Sequence, residues 1–96
     1  MYFISFRLQA PWEEYEDLDR ALKALGPWSN RVEPTWFVES RLSSRSIRDL
    51  LKPHLKPGDR LFVGQLTRNW AGTNMGDGFP DWLKRRAFEP AAAPQG

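Results

Sequence analysis

The pattern of apolar residues predicts an α+β fold, a ferredoxin-like βαββαβ sandwich carrying a short C-terminal helical extension. Three observations carry this expectation. Four short runs are rich in aromatic and β-branched residues, two stretches repeat apolar residues at helical spacing, and their order over residues 1–66 is strand, helix, strand, strand, helix, strand. Residues 67–88 read as a loop and a short helix, and residues 89–96 as a disordered tail.

Residues 1–8 place Tyr2, Ile4, Phe6 and Leu8 on one face and Met1, Phe3, Ser5 and Arg7 on the other. A strand that is apolar on most of both faces belongs in the middle of a sheet, and Pro11 ends it. Over residues 12–25 the period lengthens: Tyr15, Leu18, Leu22 and Leu25 form one helical stripe. Glu13, Glu14, Glu16, Asp17 and Asp19 crowd its first turns, where the helix dipole favours carboxylates, and Gly26-Pro27 stops it.

Residues 28–32 and 35–40 predict two short strands joined at Glu33-Pro34, the second with the stronger β composition. Ser43 or Ser44 caps a second helix reaching about residue 54, with Ile47, Leu50, Leu51 and Leu55 on its buried edge and Pro53 weakening its last turn. Pro57-Gly58-Asp59 is a turn, and residues 60–66 are the fourth strand. Residues 67–78 hold three glycines and two asparagines and read as a loop; residues 80–86 form the short C-terminal helix.

Two helices cover only one face of such a sheet. The aromatic residues at 3, 37 and 62 or their alternates at 4, 6, 36 and 38 then lie on the other, and leaving them wet forfeits several kcal/mol at ~25 cal/mol per Å2. A twofold homodimer packed on the open face is the expected remedy. The alternative is that the C-terminal segment with Trp70 and Trp82 folds back over it.

Composition narrows the chemistry. With no cysteine in 96 residues there is no disulfide framework, thiol nucleophile or thiolate metal site, and one histidine, His54, makes a zinc centre improbable. No cofactor is expected. No run approaches the ~20 apolar residues of a membrane span, and the N-terminus lacks a signal-peptide layout, so a cytoplasmic protein without membrane contact is expected. The net charge of +2 hides an asymmetry of −3 over residues 1–40 against +5 over residues 41–96. Ten of the fourteen basic residues are arginine, the side chain suited to bidentate pairing with phosphate.

The segments Ile4-Ser5-Phe6-Arg7-Leu8, Trp28 through Thr35-Trp36-Phe37-Val38, Ile47-Arg48-Asp49-Leu50 through Pro53-His54-Leu55, and Asp59 through Leu66 resemble small bacterial proteins related to CRISPR-associated protein two, in particular their stand-alone "SinR family" relatives. The resemblance spans residues 1–66, with a weaker match at Trp82-Leu83, and its motifs are structural rather than catalytic. It implies a ferredoxin-like subunit, usually a homodimer. In the CRISPR-associated members it implies a duplex-DNA-binding partner of the integrase, and some members are metal-dependent nucleases. Those nucleases carry an aspartate at the end of the first strand, so that two copies hold one divalent metal. The matching position here is Arg7, which cannot ligate a cation, and this departure argues against hydrolysis.

Arg7 itself reads as an ion-pair residue or, more sharply, as a phosphate contact. Arg41, Arg45, Arg48 and Lys52 are spaced four, three and four apart, a stripe that can track a phosphate backbone or simply face solvent. Lys84, Arg85 and Arg86 form a second basic cluster with the same two readings. Among five tryptophans, Trp36 reads as core and Trp28 as partly core, whereas Trp12, Trp70 and Trp82 either pack at element edges or stack on bases. The glycine-rich run 72–78 lacks the ending of a phosphate loop, and His54 reads as a contact with the negative end of its own helix.

These residues suggest a non-catalytic dimeric binding or assembly subunit that contacts nucleic-acid backbone through Arg7, Arg41, Arg45, Arg48, Lys52, Lys84, Arg85 and Arg86. The competing readings are a metal-dependent endonuclease of the same family and a protein-interaction module of a toxin–antitoxin or phage-defence system.

Overall fold

Side-chain alternation along the first strand organises the molecule. The computed structural model describes residues 1–88, and the tail expected over 89–96 lies outside the described residues. β1 (Tyr2–Arg7) runs between β3 (Thr35–Val38) and β4 (Arg60–Gln65), and β2 (Trp28–Val32) completes the order β2-β3-β1-β4. Every neighbouring pair is antiparallel. With α1 (Glu16–Lys23) and α2 (Ser44–Leu51) between strands and α3 (Phe79–Lys84) after them, this is the expected ferredoxin-like sandwich with a C-terminal helix.

The even-numbered face of β1 makes the main core. Tyr2, Ile4 and Phe6 join Trp36 and Val38 of β3 against Leu18 and Leu22 of α1 and Ile47 and Leu51 of α2. Each such side chain contributes about 1.5–3 kcal/mol when fully buried. Trp12 stacks on Phe6 at 5.6 Å, and Trp28 packs on Trp36 at 5.1 Å. Among the described residues no helix is long and apolar enough to cross a membrane.

Several predicted boundaries move, each for a local reason. The helix expected over 12–25 breaks into a 3-10 turn (Trp12–Glu14) and α1, because Tyr15 leaves helical geometry at φ −120°, ψ 41°. Its hydroxyl is drawn instead to Asp59, donating to Oδ2 at 2.8 Å. The third strand ends at Val38 rather than residue 40, since the Glu39 N–H turns to the Pro27 carbonyl (2.8 Å). α2 starts after Ser43, whose hydroxyl accepts from the Ser46 N–H at 3.0 Å. Proline at position 53 lacks an N–H, and the chain tightens into a 3-10 turn (Lys52–His54) there. The fourth strand stops at Gln65, and the last helix starts one residue early and ends at Lys84.

Two connections depend on single residues. Gly26, at φ 148°, lies so close to the Glu39 carbonyl that a Cβ would collide with it. Asp59 ties three segments together: Oδ1 accepts from the Gln9 N–H (2.7 Å), and Oδ2 from the Lys56 N–H (2.7 Å) and the Tyr15 hydroxyl. Partial burial by itself raises the Asp59 carboxyl, but these hydrogen bonds and the nearby Lys56 charge outweigh it and hold the group below its ordinary 3.8.

Gly26→Ala is therefore expected to cost about 1–3 kcal/mol, read as a lowered denaturant midpoint at unchanged slope. The lowered Asp59 value means that its stabilisation is present above the ordinary carboxylate range and is lost as pH falls through the lowered value. Asp59→Asn should flatten that acid limb of the stability–pH curve and cost about 1–3 kcal/mol at neutral pH. Equal acid sensitivity in the two proteins would count against this assignment.

Candidate nucleic-acid interface

The odd-numbered face of β1 has no helix from the βαββαβ core above it, and the C-terminal segment divides it in two. Over one half, Met1 packs with Phe79, Leu83 and Phe88, and Phe37, Leu66, Trp70, Met75 and Trp82 close around them. Phe37 meets Phe79 at 5.4 Å. Arg31 pins the loop that leads there, donating to the Met75 and Asp77 carbonyls at 3.2 and 3.3 Å. Glu39 fixes the far end, accepting from the Ala87 N–H at 2.7 Å. The fold-back alternative is thus realised over this half.

The other half stays open. Pairing between β1 and β4 sets Phe3 opposite Gly64, Ser5 opposite Phe62, and Arg7 opposite Arg60. Glycine at position 64 is required by a close approach: a Cβ there would lie 2.6 Å from the Phe3 ring. The ring occupies that space and stacks on Phe62 at 5.9 Å with 22° between planes. Phe62 is 63% exposed, the most exposed large apolar side chain described. Beside this pair, Thr35 donates to Ser5 Oγ at 3.2 Å.

Arg7 and Arg60 are both exposed and directly opposed across the strands. Cross-strand partners have Cβ atoms ~4.5–5.5 Å apart, and like charges at that spacing are destabilising. The ion pair expected for Arg7 is absent: among the described residues neither guanidinium has a carboxylate partner or a side-chain hydrogen bond. A cleft of about 450 Å3 is lined by Ser5, Phe6 and Arg7 of β1 and by Arg60, Leu61 and Phe62 of β4. An aromatic face beside two unpaired guanidiniums matches a ligand that is both flat and anionic.

The other predicted contacts lie elsewhere. Arg45, Arg48 and Lys52 are exposed along α2 and the turn after it, with Arg41 in the loop before, on the layer that covers the opposite face of the sheet. Arg48 is engaged with its neighbour Asp49 at 2.9 Å. Lys84 and Arg85 are exposed at the end of α3, whereas Arg86 is largely buried, lying over the Trp82 ring at 5.1 Å and 3.8 Å from Glu39. Arg85 lines a separate cleft with Arg31, whose guanidinium is already spent on the loop carbonyls. The eight predicted residues therefore form three separate groups, and only Arg7 lies on the open sheet.

Trp12, Trp70 and Trp82 follow the packing reading, Trp12 in the main core and the other two in the second. The glycine-rich run serves the loop pinned by Arg31, and His54 ends the turn that follows α2. Sequence reasoning missed Arg60 as the partner of Arg7. Its parity with Phe62 is legible, but its placement opposite Arg7 depends on register, which composition does not encode.

Fold and face together define a ferredoxin-like α+β domain with a half-covered sheet. Compared with known proteins, the chain matches no family model, no curated protein and no solved structure.

Removing one of the opposed charges tests the pair. Arg60→Thr, which keeps a good strand former, is expected to raise stability by up to ~1 kcal/mol in chemical denaturation. A loss of stability would mean that Arg60 holds a structural contact.

Proposed function

We propose that this protein is a non-catalytic module that binds single-stranded nucleic acid on the open half of its sheet. The observation that carries the reading is the Arg7–Arg60 pair beside the Phe3–Phe62 stack. Phosphate neutralises two guanidiniums that otherwise repel, and a base stacks on the exposed face of Phe62.

The resemblance of residues 1–66 to relatives of CRISPR-associated protein two fits a nucleic-acid-binding subunit. Arg7 at the metal-aspartate position supports binding over hydrolysis. The α2 stripe gives a second reading, in which duplex lies along Arg41, Arg45, Arg48 and Lys52.

Salt dependence separates the two surfaces. Single-strand binding through Arg7 and Arg60 should give a slope of log K against log salt near −1.4, about −0.7 per phosphate, and Arg7→Ala should remove about half of it. Phe62→Ala should weaken binding by about 1–3 kcal/mol, the usual cost of losing one stacked base. A slope near −4 on duplex, unaffected by Arg7→Ala, would move the site to α2. Absence of binding at low salt to every strand tried would end the proposal.

A further inference from the structure

A second cleft lies at the end of β1, on the helix-covered side of the sheet. It is lined by Phe6, Leu8, Trp12, Pro34 and Trp36, with Arg7 and Glu33 among its walls, and holds about 320 Å3, within the range of small-ligand sites. Its aromatic wall is fixed by packing. Phe6 and Trp36 are buried, and Trp12 stacks on Phe6 with only 6° between planes while lying 6.0 Å from Trp36. Trp12 also stacks on Tyr15 at 6.3 Å, and it retains some exposure where it lines the cleft. Arg7 and Phe6 line both this cleft and the open-face cleft, so Arg7 borders the two at the end of β1.

The polar groups limit what fits. Glu33, in the turn between β2 and β3, is exposed, and among the described residues it has no ion pair. A carboxylate is an acceptor only, and beside aromatic walls a planar ring with adjacent N–H donors satisfies both features of the cleft. Guanine presents two, its ring N1–H and exocyclic amine, and can pair with both carboxylate oxygens. Uracil and thymine offer one N–H flanked by carbonyls. Adenine and cytosine set an acceptor nitrogen beside their amine. Each of these alternatives turns an oxygen or a lone pair towards the carboxylate.

We propose that this cleft takes an unstacked guanine base from a strand whose phosphate rests on Arg7 and Arg60. The inference rests on the open-face reading and adds base preference to it: Trp12 and Pro34 sandwich the ring, Glu33 accepts its two N–H groups, and Arg7 joins base site to backbone site. Flipped bases are read in this general way, through stacking and their Watson–Crick edge.

The test uses the full chain and fluorescein-labelled oligothymidylates of about eight nucleotides, with or without one guanine at the 5′ or the 3′ end, followed by anisotropy. At one of the two ends guanine is expected to tighten binding about tenfold or more. That gain should disappear in Glu33→Gln, whose amide replaces one acceptor with a donor. Arg60→Ala should weaken both strands alike and preserve their ratio. Tryptophan emission should be quenched more by the guanine-bearing strand, because its base lies on Trp12.

Equal affinity for thymine-only and guanine-bearing strands at both ends overturns the guanine site and leaves open-face binding intact. A guanine gain that survives Glu33→Gln overturns the assignment of Glu33. Failure of every strand to bind overturns both readings together.

Discussion

Alternation along β1 makes one central strand serve two surfaces, and the remaining structure follows from how each is filled. Tyr2, Ile4 and Phe6 point to the helices and form the main core with Trp36, Leu22 and Ile47. Met1, Phe3, Ser5 and Arg7 face the other way, where the βαββαβ framework supplies no cover. The C-terminal segment buries Met1 under Phe79 and Leu83, and it stops short of Phe3 and Arg7. Function is assigned to what that segment leaves exposed.

Gly64 shapes the exposed half. With no side chain there, the Phe3 ring lies over β4 and meets Phe62, so two rings make a broad apolar surface across the sheet. Arg7 and Arg60 stand at the end of the same strands. Gly64 is required by the close approach of the Phe3 ring, whereas the opposed like charges of Arg7 and Arg60 repel. Their concentration at one place supports a site whose energetics are completed by a ligand. The cleft around Trp12 and Glu33 lies at the end of the same strand and shares Arg7 with the open-face cleft.

Much of the fold was legible from local pattern. The two-residue period of 1–8, the leucine spacing around Leu18 and Leu22, Ser43 as a cap and Pro53 as a breaker all act within a few residues, and all appear in the structure. Tyr15 departs from the helical pattern because its geometry answers to Asp59, forty-four residues away. The site was less legible for the same reason. The basic stripe of 41–52 stands out at helical spacing, yet α2 carries it on the helical layer, away from the open sheet. Arg60 drew no notice as one residue of a short strand. It gains meaning only opposite Arg7, a relation fixed by sheet register.

The most direct test of the account is a map of where a strand binds. In a titration of isotopically labelled protein with a short single-stranded oligonucleotide, amide shifts should concentrate at Phe3, Ser5, Arg7, Arg60 and Phe62, while residues 45–51 of α2 stay in place. Shifts confined to α2 or to residues 84–86, with β1 and β4 unmoved, would contradict it.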